Sequence, residues 1–116
     1  MTTLATMPWF ALGKVSVGGI MSPGERKLRD ILKRDDATAT LQSIFAHGTP
    51  AAQLYALLGL RLHDRAAYDA ALKTVRRDDP LVEFRQGCGA EKDHFSTLLA
   101  DLIAGKYDEY LSRPEW

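Results

Sequence analysis

Residues 49–75 read TPAAQLYALLGLRLHDRAAYDAALKTV, two apolar runs at helical spacing joined by a turn with almost no slack. Thr49 before Pro50 is a helix start: a hydroxyl that can accept from the first orphan N–H groups, and a proline at the position where a missing N–H costs nothing. Leu54, Tyr55, Leu57, Leu58 and Leu62 then cover more than half of the circumference, the mark of a central helix. His63-Asp64 supplies a turn and a second cap. Tyr68, Ala71, Leu72 and Val75 follow at i, i+3, i+4 and i+7, with Asp69, Lys73, Arg76 and Arg77 largely on the other face. Leu54, Leu58, Leu62, Tyr68, Leu72 and Val75 are therefore expected to face inward. Gly59 costs on the order of 1 kcal/mol relative to alanine inside a helix, which predicts that another backbone packs closely there.

Working outward, Ser22-Pro23-Gly24-Glu25 repeats the start signal, with a hydroxyl cap, a proline at the first helical position and a glutamate at the third. Leu28, Ile31 and Leu32 form the apolar face of this first helix. Its cations, Arg26, Lys27, Arg29, Lys33 and Arg34, are interleaved with Glu25, Asp30, Asp35 and Asp36, the pattern of a solvated helix face. Asp35-Asp36 offers a cap to a second helix carrying Leu41, Ile44 and Phe45 and ending near His47-Gly48. Beyond the hairpin, Asp78-Asp79-Pro80 is a stop. Val82-Glu83-Phe84-Arg85 alternates with period two, as does Lys14-Val15-Ser16-Val17, so a two-stranded ribbon of residues 14–17 with 82–86 is expected, supported by the helices. The last helix is expected to begin near Asp93 and to carry Phe95, Leu98, Leu99, Leu102 and Ile103 up to Gly105.

The predicted architecture is mainly α: one compact bundle of five or six helices built from helical hairpins over residues 1–116. Residues 1–21 form an extended arm, 22–112 the helical core and 113–116 a tail. A chain of 116 residues suits one domain.

Composition narrows the function classes. Fifteen basic and fifteen acidic residues cancel, so no global field draws the chain to nucleic acid or anionic lipid. Cys88 is the sole cysteine, which excludes an intrachain disulfide scaffold and suits a reducing compartment. The apolar opening lacks the basic residues that precede a signal-peptide core, and no stretch reaches the roughly 20 apolar residues of a spanning helix. A cytoplasmic protein is expected.

No chemical constellation stands out. Cys88, between Gly87 and Gly89, could expose a thiol, and His94 lies six residues on, but no nucleophile signature surrounds them. His47, His63, His94 and Cys88 lack paired metal-ligand spacing, so no metal or cofactor is expected. Phosphate-binding and nucleophile-elbow signatures are absent. Trp9, Phe10, Tyr107, Tyr110 and Trp116 gather in the two terminal segments, and with Arg85 they match the residue types that protein interfaces concentrate. Two readings of Trp9 and Phe10 stand: the arm covers the helical core, or the pair forms an exposed patch.

The string YALLGLRLHDRAAYDAAL over residues 55–72, with GERKL at 24–28 and Gly87-Cys88, resembles a group of small bacterial helical proteins without assigned activity. The hairpin also resembles one unit of a HEAT or tetratricopeptide solenoid. Both resemblances imply fold and supply no catalytic residues. The expected function is a non-enzymatic protein-binding module, in concrete form a small bacterial immunity-type or adaptor protein occluding a cognate protein such as a toxin, with self-association left open. The alternatives are a thiol-dependent or metal-assisted hydrolase centred on Cys88 and His94, and a weak nucleic-acid binder acting through the basic first helix.

Overall fold

Helix α3 (Pro50–His63) is the axis of the computed structural model, which describes residues 9–11, 23–76, 78–86 and 89–108. Thr49 caps it as predicted, accepting from the Ala52 N–H at 3.1 Å, with Pro50 in the first turn. Ala51, Ala52 and every residue from Leu54 to Leu60 are buried, so α3 is enclosed on nearly all sides. Around it pack α1 (Pro23–Leu32), α2 (Ala37–His47), α4 (Arg65–Leu72) and α5 (Phe95–Ile103). These are the five helices of the described residues, in keeping with the mainly helical architecture the sequence implies. No helix among the described residues is long and apolar enough to cross a membrane.

The tight turn between α3 and α4 is built by Asp64. One carboxylate oxygen accepts from the Ala67 N–H at 3.1 Å and caps α4, while the other accepts from the Thr38 hydroxyl of α2 at 3.2 Å. Leu62 departs from expectation: it lies in the last turn of α3 and is 42% exposed. Gly59 does mark a close approach, but side chains make it. A Cβ there would stand 2.8 Å from Leu28 Cδ1 of α1 and 3.0 Å from Leu41 Cδ1 of α2. Gly24 is the reciprocal case, since the Tyr55 ring and hydroxyl of α3 occupy the space a Cβ would need. Each of α1 and α3 thus yields a side chain at one point so that the other can fill it.

The first helix is not uniformly solvated. Arg26, Asp30, Lys33 and Arg34 are exposed, but Glu25 is 0% and Arg29 7% exposed, and the two form an i,i+4 ion pair at 3.2 Å. They lie on the side of α1 that also buries Gly24 and Leu28, and there the pair replaces water as the solvation of each charge. Asp36 does not cap α2 with its side chain. Its carboxylate is instead held by Arg34 through Nε and Nη2, each at 2.8 Å.

The predicted strand at 82–86 forms, as β2 (Leu81–Gln86); residues 14–17, expected to pair with it, lie outside the described residues. Its partners are β3 (Gly89–His94), antiparallel from Leu81↔His94 to Gln86↔Gly89, and β1 (Trp9–Ala11), parallel from Trp9↔Glu83 to Ala11↔Arg85. The order is β1-β2-β3, so β2 is central and both of its edges are used. Residues up to His94 therefore belong to a strand, and the last helix begins at Phe95, later than its sequence suggests. Its start is fastened from 17 residues upstream: Asp79 accepts from the Ser96 N–H at 2.8 Å and from the Ser96 hydroxyl at 3.0 Å. The Phe95 N–H donates to the Pro80 carbonyl at 2.9 Å. Helix α5 ends as predicted before Gly105, whose φ of +85° suits a residue without Cβ.

Candidate interaction face

A strand sends successive side chains to opposite sides, so each side of β2 has its own composition. Val82 is buried and Phe84 half-buried on the helix side. There the Phe84 ring lies 6.0 Å from both Phe10 and Tyr107, and Phe10 stands edge-on to Tyr55 at 4.9 Å and to Tyr107 at 5.3 Å. Phe10 and Tyr107, two of the residues the sequence nominates for partner binding, are thus neighbours, and both are buried in this aromatic cluster. Phe10 closes the core over α3, the first of the two readings of the arm. Aromatic residues at chain ends serve either role, and only their neighbours distinguish them.

The opposite side of the sheet carries exposed residues. Leu81 is 60% exposed, and Lys92 and His94 are also exposed. Register aligns positions Trp9, Glu83 and Lys92 in one row across the three strands, and Ala11, Arg85 and Ala90 in the next. Leu81 and His94 begin the sheet beside them. By alternation Leu81, Glu83 and Lys92 belong to the face away from Phe10 and Phe84. The backbone positions of Trp9 and Arg85, distant in sequence and both nominated from residue type, fall in successive rows of the register. Tyr110 and Trp116 lie outside the described residues.

Sequence reasoning missed Leu81 and Lys92 as members of this face because it begins the strand at Val82 and the last helix near Asp93, with no second strand between Gly89 and His94. A signal was present: Gly87-Cys88 separates two runs of strand length, and a glycine-led pair between such runs is a hairpin mark.

Cys88 lies outside the described residues. Its neighbour Gly89 and His94 are the two ends of β3, separated by about 17 Å at the rise of an extended strand. His94 does meet an acid and a hydroxyl, but in an order that gives no relay. Its Nδ1 lies 3.4 Å from Asp79 Oδ2, the same oxygen that accepts from the Ser96 hydroxyl. A serine nucleophile needs the imidazole between hydroxyl and carboxylate; here the carboxylate stands between the other two. The Ser96 backbone N–H, followed by the Ser96 hydroxyl and the His94 imidazole, holds the Asp79 carboxyl below its usual range, as befits a helix cap. His47 and His63 are exposed at the ends of α2 and α3. Among the described residues no three His, Cys, Asp or Glu side chains converge in a metal-binding group.

Of the five cations of the first helix, Arg29 is paired with Glu25 and Arg34 with Asp36, while Arg26 and Lys33 are exposed. A second polar cluster, unreadable in sequence, is structural. Arg61 of α3 donates to Asp108 at 2.9 Å across 47 residues and reaches the Tyr68 hydroxyl at 3.4 Å, while the Arg65 guanidinium lies 5.3 Å from the Tyr68 ring centre. The Asp108 carboxylate raises the Arg61 pKa and clamps the chain after α5 onto the central hairpin.

Compared with protein-family models, with curated proteins and with solved structures, this chain matches none.

Proposed function

We propose that this chain is a non-enzymatic protein-binding module that lays the open face of its three-stranded sheet on a partner and occludes it, as a small immunity-type or adaptor protein does. The observation that carries this reading is Leu81, a large aliphatic side chain 60% exposed on a sheet whose other face is closed by aromatics. Around it the register gathers the positions of Trp9, Arg85, Glu83 and Lys92. Tryptophan and arginine are residue types that interfaces concentrate, and the register brings both positions into the sheet that carries this exposed leucine. The balanced charge of the chain favours a partner met by shape and apolar contact over one captured by long-range attraction.

The test is site-specific photo-crosslinking in cells of the source organism, with the crosslinker placed at position 81 and, in a control, at Asp69 on the exposed side of α4. One protein captured from position 81 but not from position 69, and lost on Arg85→Glu, supports the module. Equal labelling of many proteins from both positions refutes it.

A further inference from the structure

The chain after α5 turns back on the fold through a local motif. The Gly105 N–H donates to the Leu102 carbonyl and the Lys106 N–H to the Asp101 carbonyl, each at 3.1 Å, with Gly105 at a φ of +85°. This is a Schellman end, which reverses the chain and returns the residues that follow to the body of the protein. Tyr107 is buried there, edge-on to Phe10 with ring centres 5.3 Å apart. Asp108 accepts from Arg61 Nε through both carboxylate oxygens, at 2.9 and 3.3 Å. A Cβ on Gly105 would stand 3.2 Å from Arg61 Nη2 and 3.3 Å from Asp108 Oδ2, so the turn and the ion pair are packed as one unit. Two consecutive residues of this segment thus grip different parts of the molecule, the amino-terminal strand and the central helix.

Strand β1 depends on such support. It has three residues and pairs with β2 in parallel at one end of the sheet order, and backbone pairing over so short a stretch does not sustain itself. Its buried side chain Phe10 supplies the hold, through ring contacts with Tyr55, Phe84 and Tyr107. Tyr55 belongs to the axis of the fold and Phe84 to the central strand. Tyr107 belongs to a segment of a few residues that Asp108 fastens to α3. An edge-on ring pair stabilises both of its members, so the strand and the returning segment support each other.

We infer that Arg61 and Asp108 form a latch on β1. While the pair is closed, Tyr107 backs Phe10 and the sheet keeps its three strands; when it opens, Tyr107 withdraws and β1 leaves β2 while the helices stay folded. Strand β1 and residues 105–108 are then one cooperative unit, less stable than α3. The latch goes beyond the module reading and involves no partner: it sets the fraction of molecules in which the row of Trp9, Glu83 and Lys92 is complete.

Amide hydrogen exchange of the whole ¹⁵N-labelled chain, followed by NMR, tests the latch by comparing the best protected amide of residues 9–11 with that of Leu58 in α3. In the parent chain the β1 amide is expected to be protected, but less than Leu58, which marks a separate opening. A bond present in the closed state and broken in the open one alters the opening equilibrium when it is deleted, whereas a bond kept in both states leaves it unchanged. Asp108→Ala should therefore speed exchange of the β1 amide on the order of fivefold, as fits a partly exposed ion pair. Protection retained at Leu58 shows that the variant is folded. In a Tyr107→Ala background β1 is already loosened and the ring through which the latch acts is gone, so adding Asp108→Ala should change its exchange by less than about twofold. A β1 amide indifferent to Asp108→Ala, or an undiminished effect in the Tyr107→Ala background, overturns the inference. So does a β1 amide that in the parent chain is unprotected or exchanges together with Leu58.

Discussion

The two faces of the three-stranded sheet are made by the same strands and have opposite fates. On one, Phe10, Val82 and Phe84 are packed with Tyr55 and Tyr107; on the other, Leu81 stands largely in water beside Lys92 and His94. The closed face supplies packing energy, and the other is the face proposed to meet a partner. Period-two alternation couples them, because a register shift of one residue would exchange them. The aromatic cluster therefore does more than stabilise: it holds Trp9, Glu83 and Lys92 in one row.

The largest effect is expected where that coupling is cut. Phe10→Ala removes the ring that touches Tyr55, Phe84 and Tyr107 and should cost about 3–5 kcal/mol in urea unfolding. It should also weaken partner capture, since β1 would lose its hold on β2. Glu25→Ala comes next. It removes a carboxylate partner of the buried Arg29 guanidinium, at a cost of about 3 kcal/mol, while leaving capture by the folded fraction intact. The double change Glu25→Leu/Arg29→Met should recover most of that loss, showing that the pair is tolerated rather than required for stability. If the double variant is no better than the single one, the pair has a role beyond mutual neutralisation.

Gly24→Ala and Gly59→Ala provide a subtler comparison. At Gly24 the added methyl meets the rigid Tyr55 ring, and about 2 kcal/mol of overpacking is expected. At Gly59 it meets leucine methyl groups that can shift, and the gain in helix propensity of about 1 kcal/mol offsets part of the strain. The ratio of the two losses measures how freely α1 can move against α3.

Asp79 tests the junction where the sheet passes into α5. Its carboxyl is held below the ordinary range by the Ser96 N–H, so the folded state binds that proton less readily than the unfolded chain does. The resulting stabilisation is complete above the unfolded value of about 3.9 and is lost as pH falls through the lower folded value. Asp79→Ala should lower Tm modestly at neutral pH. It should also flatten the fall of Tm between about pH 4 and the folded pKa, which thermal melts across an acid series would detect. The smallest effect on stability belongs to the open face. Leu81→Ser should stay within about 0.5 kcal/mol of the parent while reducing crosslinked partner from a probe at position 83. A large stability loss there would mean that the open face is a structural surface after all.

What could be read in advance follows from the range of each interaction. Thr49 with Ala52 and Asp64 with Ala67 are caps closed within three residues, and both are written in the chain. Asp79 with Ser96, across 17 residues, and Arg61 with Asp108, across 47, use the same chemistry, but nothing local marks the partner. Glu25 and Arg29 show the same limit in burial. An i,i+4 acid–base pair has one spelling whether it lies in water or beneath other elements. The candidate face divides in the same way: Trp9 and Arg85 were nominated by residue type, whereas Leu81 and Lys92 needed the hairpin and its register.

By itself the sequence determined the helices, the central place of α3 and the strand at 82–86, because periodicity, proline starts and short-range caps act between residues a turn or two apart. Only the tertiary structure decided that Phe10 and Tyr107 are core, that Glu25 and Arg29 are buried, and that one face of the sheet is left open. Burial depends on what distant chain is brought against a residue, and that contact exists only once the parts have packed.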